Sequence, residues 1–573
     1  MGIFANPPTQ SMIVSPLRIR IIIVLVSLLL FVPFLGSVRL FDWDEVNFAE
    51  CAREMIVSGD YLHMQIDYRP FYEKPPIFIW LQVASMKVFG INEFAARLPN
   101  ALIGVVSMLV LFSIGSRVNG TRFGILWCVV YAGSLLPHFY FRSGIIDPLF
   151  NLFIFLSVWS MIGGRPARFG DWGTGLYAGM WAGLAVMTKG PVGFGLVMLT
   201  TAVAWIVLRK QMPLPWKQVL GATISTVLVT SVWFGVDYLQ NGPTFIMENL
   251  SYQVRLLTTG DAGHEQPWYY HSIVLLIGCY PASIFFFGGL RAHGSEGAQQ
   301  RVMRIWMTVL FFVVLVVFSV VKTKIIHYSS MTYLPLTYLA ALAIERWISG
   351  ASRWTWRRTA ALVVIAVPVS ILCFLVPLAF MNRDWLLALP TFRDQFLRAA
   401  IQRDGGWIGY EPYVSIVLVA GLIGAWLAKR TNQPLISIGV LFGSVMLFIS
   451  LFLPLVAPRI EPYTQGAALD FYESIRGRDV YVKPLTMKSY AHLFYTAKPL
   501  YLSGAAKGIG ADDWEPWLLN GPVDKPTYFV AKVNDAEKWR SLPVLRVIKE
   551  EGGFVVFERI RASQVPGTQS HSH

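Results

Sequence analysis

The sequence predicts a mostly α-helical, polytopic membrane protein that ends in a small extracytoplasmic α/β domain. Two numbers and one pattern predict it. Hydrophobic residues fill 55% of the 573 positions and charged residues only 14%, against roughly a quarter charged in soluble domains. Mean hydropathy is +0.52. Apolar runs long enough to cross about 30 Å of hydrocarbon at about 1.5 Å per residue recur along the chain. This composition excludes a single soluble enzyme and a disordered chain. Of the four cysteines, Cys128, Cys279 and Cys373 sit in apolar runs and Cys51 stands alone, so no disulfide framework is legible.

The first apolar run, 21 to 36, follows Arg18 and Arg20. No small-residue cleavage site precedes Asp42, so the run reads as a retained anchor. Further runs lie near 98 to 116, 123 to 141, 145 to 163, 174 to 188, 191 to 208, 218 to 236, 272 to 290, 305 to 321, 328 to 344, 359 to 380, 412 to 428 and 435 to 456. That makes about thirteen spans. With a cytoplasmic N-terminus, Arg117/Arg122, Arg165/Arg168, Arg209/Lys210, Arg291/Arg301, Arg353/Arg357 and Lys429/Arg430 all fall on the inner side. Much of the net charge of +14 is therefore topology, and no nucleic-acid partner is expected.

The opposite side receives a long first loop (38 to 97), a second (239 to 271), a third (381 to 411) and the tail. Residues 1 to 456 read as the transmembrane catalytic domain and 457 to 573 as a soluble domain, because charge becomes balanced and strand-like runs such as Val480-Tyr481-Val482 and Phe554-Val555-Val556-Phe557 appear. Within the first loop a helix is expected from Asp42 to Ser58-Gly59, lying on the membrane surface.

Ionisable groups at a membrane boundary are functional by default, because placing them near hydrocarbon costs several kcal/mol. Asp44/Glu45, Glu73-Lys74-Pro75-Pro76, Asp147-Pro148 and Lys322/Lys324 with His327-Tyr328 qualify. Each has a plainer reading. Asp42 and Glu45 have capping-box spacing. Glu73 and Lys74 could pair at the interface ahead of a proline-started helix, and Asp147 could cap one. Lys322 and Lys324 break the positive-inside trend and call for an anion, for which phosphate suits lysine. Outer-facing carboxylates beside lysines at a lipid boundary fit sugar transfer from a lipid phosphate: lysines stabilise the leaving phosphate, and a carboxylate orients or deprotonates the acceptor. No nucleotide-binding motif is present in the sequence.

The string Asp42-Trp43-Asp44-Glu45-x-x-Phe48-Ala49-Glu50, then Phe71-Tyr72-Glu73-Lys74-Pro75-Pro76, then Glu93-Phe94-Ala95-Ala96-Arg97-Leu98-Pro99 resembles the start of the aminoarabinose transferase and protein O-mannosyltransferase-like group of GT-C glycosyltransferases. The resemblance implies a polyprenyl-phosphate sugar donor, undecaprenyl phosphate in bacteria. It assigns Asp44 and Asp147 as catalytic acids and Lys74 as a phosphate contact, with Tyr328, Lys322, Lys324 and Arg255 as further donor-phosphate residues. Glu45 and Glu73 become candidate acceptor-side groups. His264 resembles a loop histidine that shares a divalent, zinc-like metal with the glutamate here numbered Glu73; two ligands establish no required cofactor.

The expected activity is transfer of the sugar to lipid A in the bacterial inner membrane, of the 4-amino-4-deoxy-L-arabinose type, with the site on the periplasmic side. The alternatives are O-glycosylation of protein Ser/Thr and, from another class, a secondary transporter or flippase, which would show paired repeats with broken helices.

Overall fold

The computed structural model describes residues 15–163, 170–210, 215–260, 265–294, 296–389 and 393–560. Helix occupies every one of the expected apolar segments: Pro16–Phe31, Glu93–Asn119, Thr121–Ala132, Asp147–Met161, Gly170–Lys189, Val192–Leu208, Trp216–Asn241, the pair Tyr270–Gly278 and Ala282–Leu290, Ala298–Val320, Tyr333–Ile348, Trp356–Met381, Ile416–Arg430 and Pro434–Leu455. Among the described residues, six helices are long and apolar enough to cross a membrane unaided, or seven if the pair bent by 110° is one broken span. Length and composition thus support six or seven crossings directly, while shorter apolar helices such as Asp147–Met161 and Val192–Leu208 pack among them. The chain is an integral membrane protein.

Local chemistry sets the helix ends. Ser15 caps the first helix ahead of Pro16, and Asn92 Oδ1 accepts from Ala95 N at 2.9 Å to open Glu93–Asn119. Small residues draw two helices together. A Cβ on Gly175 or Gly179 would come within 2.2 Å of the carbonyl oxygens of Gln218 and Ala222, so these glycines are what lets Gly170–Lys189 approach Trp216–Asn241.

The first loop departs from expectation. Its helix, Asp44–Ser58, begins and ends close to the expected bounds, closed by Gly59 at φ 75°. It does not lie on a membrane surface, because every residue from Glu45 to Met55 is buried. Its charges are satisfied inside: Arg53 donates to both oxygens of Glu50 at 2.7 and 2.6 Å, and Glu54 accepts from the amides of Asp67 and Tyr68 at 2.8 Å each. The turn at Asp67 and Tyr68 joins β1 (Gln65–Ile66) to β2 (Arg69–Pro70).

The C-terminal residues carry β3 (Tyr481–Pro484), β4 (Thr527–Lys532), β5 (Leu545–Glu551) and β6 (Phe554–Arg559). The sheet order is β3-β4-β6-β5, with β3 and β4 parallel and the rest antiparallel. One face encloses a core of its own around Phe529, Trp514 and Phe557. The other shares a core with the first loop, where Ala49, Ala52 and Ile79 meet Leu469, Phe494 and Val530. Ion pairs weld the same seam: Arg39 reaches Asp470 at 2.6 Å and Glu473 at 2.7 Å, and Lys498 reaches Asp67 at 2.6 Å. The tail is the lid of the first loop.

Candidate active site

Under that lid lies a cavity of about 370 Å³, walled by the first loop, the segment 323–328 and the tail. Asp44 enters it from the first turn of its helix. The preceding Trp43 stands at φ 73°, ψ −117°, a backbone state costly for a side chain larger than glycine and typical of functional positions. The expected capping box does not form. Asp42 Oδ1 accepts from Trp43 N at 2.9 Å and from Ser489 Oγ at 3.0 Å, which ties the tail to the first loop. Glu45 accepts from Arg97 at 2.7 and 3.0 Å, from Phe41 N at 2.9 Å and from Gly144 N. It touches the cavity, but its carboxylate is consumed in joining three segments.

Asp44 keeps its carboxylate in the open space. His327 Nε2 lies 3.2 Å from its Oδ2, and the side chain is 32% exposed, toward the cavity. Burial pushes this carboxyl up, but the hydrogen bond and charge of His327, with the charges of Lys74 and Lys189, outweigh it and hold Asp44 well below the usual carboxylate range. It is ionised at neutral pH.

Lys74 reaches the same space from the coil before the helix Ile77–Phe89. Asn249 pins this coil by donating to the carbonyls of Tyr72 and Glu73 at 2.9 and 3.1 Å. Lys74 is 7% exposed; its ammonium lies 3.3 Å from Tyr252 Oη and 4.6 Å from that ring's centroid.

Asp147 opens the helix Asp147–Met161 without capping it. Its Oδ1 accepts from Lys189 Nζ at 2.6 Å, and Oδ2 is buried with no hydrogen-bond partner among the described residues. Lys189 lines the cavity; Asp147 stands behind it. Tyr328 lines the cavity as well, with Lys189 Nζ 5.1 Å from its ring centroid.

The remaining candidates do not converge. Lys322 is exposed and off the cavity wall, and Lys324 is buried with its ammonium bonded to Val321 O at 2.7 Å. Their break with the positive-inside trend marks this segment, but Thr323 and Ile325 to Tyr328 are the residues that face inward. Arg255 is exposed behind Tyr252, its guanidinium 5.2 Å from that ring. Glu73 lines the cavity, whereas His264 lies outside the described residues. Among the described residues no three His, Cys, Asp or Glu side chains converge in a metal-binding set, and no step is routed through a metal.

Sequence reasoning missed Lys189, Lys488, Tyr490 and Tyr252. Lys189 carried a readable signal: a lysine between two apolar runs on the side poor in basic residues. Lys488 and Tyr490 carried none, because only the tail's docking brings them to the cavity. Lys488 Nζ lies 5.4 Å from the Trp43 ring centroid and forms no ion pair among the described residues.

Known proteins share this fold and part of this sequence. Residues 73–234 match the family model described as dolichyl-phosphate-mannose-protein mannosyltransferase. An undecaprenyl phosphate-alpha-4-amino-4-deoxy-L-arabinose arabinosyl transferase of Edwardsiella ictaluri is 26% identical over 339 residues, 56% of this chain and 58% of that one. One of the same name from Pectobacterium carotovorum is 26% identical over 58% of this chain and 59% of its own. The matches thus span little over half the length of these curated relatives. The crystal structure of ArnT from Cupriavidus metallidurans bound to undecaprenyl phosphate superposes with TM-score 0.73 at 19% identity, covering 96% of this chain and 99% of that one. Its apo form gives TM-score 0.74. The resemblance read in the first loop agrees with these relatives, and the chain has the fold of these solved structures.

Proposed function

We propose that the chain is a glycosyltransferase that moves a sugar, of the 4-amino-4-deoxy-L-arabinose type, from a polyprenyl phosphate to lipid A at the periplasmic face of the bacterial inner membrane. The observation that carries this reading is the meeting of one ionised carboxylate, Asp44, with two lysines, Lys74 and Lys189, in a single cavity. The curated relatives named above act on an undecaprenyl-phosphate sugar, and the fold they share supports the same donor here.

The acceptor oxygen attacks the anomeric carbon of the sugar. The bond from that carbon to the carrier's phosphate oxygen breaks, and its electron pair stays on the phosphate. Lys74 and Lys189 supply positive charge where that oxygen becomes anionic. Tyr328, beside Lys189, offers a hydroxyl to the same phosphate. A phosphate acceptor arrives ionised, so His327 can donate to it while the Asp44 carboxylate accepts from the sugar's hydroxyl or amino groups and orients the sugar; a hydroxyl acceptor would give its proton to Asp44. Asp147 touches the reaction only through Lys189, whose ammonium it holds in place, and is a positioning residue.

A lysine on the tail side of the cavity favours the anionic acceptor. Lys488 gives the cavity a further cation, from the tail rather than the first loop, so a second phosphate group, that of lipid A, can be received beside the donor's. A protein hydroxyl would need no such charge. The test compares wild type, D44N and K74A at matched expression, with mass spectrometry of the lipid A and glycopeptide pools. A sugar increment on lipid A that either substitution abolishes is expected. An increment confined to glycopeptides would replace the acceptor, and none in either pool would overturn the transferase reading.

A further inference from the structure

A second cavity, also of about 370 Å³, lacks the lysines that line the first. Its walls are the rings of Tyr72, Trp233 and Phe245 together with His63, Asp237 and Asn241, and no lysine or arginine lines it. Its polar groups form one connected network. Asp60 Oδ2 lies 2.9 Å from His63 Nδ1, and Asn241 Nδ2 lies 2.9 Å from His63 Nε2 and 3.0 Å from Asp237 Oδ1. An amide nitrogen is the donor in both of its bonds, so His63 Nε2 accepts, its proton sits on Nδ1 facing Asp60, and the ring is neutral. In that tautomer His63 Nε2, 3.8 Å from Asp237 Oδ1, carries no proton to give it.

Asp237 is left over. It is 3% exposed, and its Oδ2 is buried with no hydrogen-bond partner among the described residues. Such an oxygen is costly unless a donor, and best a cation, comes to it. The rings beside it are held rigidly: Trp233 Nε1 donates to Leu62 O at 3.0 Å, and the Trp233 and Phe245 rings meet edge to face at 4.8 Å. A buried carboxylate inside an aromatic corner is the chemistry that recognises organic ammonium groups.

The position narrows the source. The pocket sits where the helix Trp216–Asn241 ends and the helix Thr244–Thr258 begins. Both present apolar side chains outward, Leu239 at 85% exposure and Met247 at 61%. A spanning helix turning into an interfacial one puts this corner at the depth of lipid headgroups.

We propose that this pocket binds the ammonium headgroup of a membrane phospholipid, with the ammonium on Asp237 Oδ2, the adjoining methylenes against Tyr72, Trp233 and Phe245, and the acyl chains along the outer side of Trp216–Asn241. The assignment stands independently of the transferase reading.

Native mass spectrometry of the full chain, titrated with phosphatidylethanolamine, phosphatidylglycerol and ethanolamine, tests it. Wild type is expected to retain phosphatidylethanolamine on the order of tenfold more tightly than phosphatidylglycerol, and D237N, which keeps the shape and removes the charge, to lose that preference. If D237N does not fold, wild type decides alone: phosphatidylethanolamine carrying a photoreactive group beside its nitrogen must crosslink within residues 60–72 or 233–245, and excess unlabelled lipid must suppress the product. Ethanolamine binding as tightly as the lipid would overturn the phospholipid in favour of a soluble amine. Equal retention of both lipids by wild type, or crosslinks confined elsewhere, would overturn the site.

Discussion

The two walls of the candidate active-site cavity are built by different means. The first-loop wall carries Asp44, Glu73 and Lys74, close together in the chain and braced by buried bonds such as Glu45 to Arg97 and Asn249 to the Glu73 carbonyl. The tail wall carries Lys488 and Tyr490, brought across by docking onto the first loop through a shared core and ion pairs, with the hydrogen bond from Ser489 to Asp42 beside them. The difference teaches where each half of the proposed reaction resides. Bond breaking is assigned to the rigid wall and acceptor reading to the docked one, so substitutions on the two walls should change different kinetic constants.

The largest effect is expected at the rigid wall. D44N should lower kcat by about 10²-fold, as for reactants that are no longer held in the productive geometry, while donor binding measured at equilibrium stays close to wild type. Loss of donor binding instead would break the division. K189A removes the partner of a carboxylate that is 2% exposed and should destabilise the fold by about 3–5 kcal/mol, read as a drop in the thermal unfolding midpoint. Pairing K189M with D147L, which removes both charges, should recover most of that stability.

K74A should lower kcat/KM for the donor by on the order of 10²-fold, as for loss of one preorganised charge at a developing anion. K488A sharpens the comparison most directly. It should raise KM for a phosphorylated glycolipid about tenfold with donor KM unchanged, in keeping with a half-exposed charge pair; equal shifts in both constants would erase the distinction between the walls.

The smallest effect is a shift in pH dependence. Because His327 and the lysines hold the Asp44 carboxyl below its ordinary range, the ionised form persists as pH falls through that range. H327Q weakens the hold, raises the Asp44 carboxyl and should move the acid limb of the pH–rate profile to higher pH. An unmoved limb would remove His327 from the site.

Much of the first wall was legible because its chemistry is contiguous: Asp42 to Glu50 and Phe71 to Pro76 are short strings whose polarity stands out against apolar surroundings. Asp147 stood out for the same reason. The burial of the Asp44–Ser58 helix was not legible, since polar residues such as Glu50, Arg53 and Glu54 read as a solvated face until partners at Asp67 and Tyr68 are known. Lys322, Lys324 and Arg255 failed by a few ångströms of direction: their neighbours Thr323, His327 and Tyr252 line the cavity. Spacing fixes which segment approaches a site, and rotamers decide which residue enters it.

By itself the sequence determined the membrane class, the helical segments and the identity of the residues at the first-loop wall, because hydropathy and local spacing are properties of neighbours in the chain. Only the tertiary structure decided that Asp147 pairs with Lys189, that Glu45 is a brace, and that Lys488 lies over the Trp43 ring. Each of these is a meeting of residues far apart in sequence. It is set by which buried surfaces pack together, and no local pattern records that.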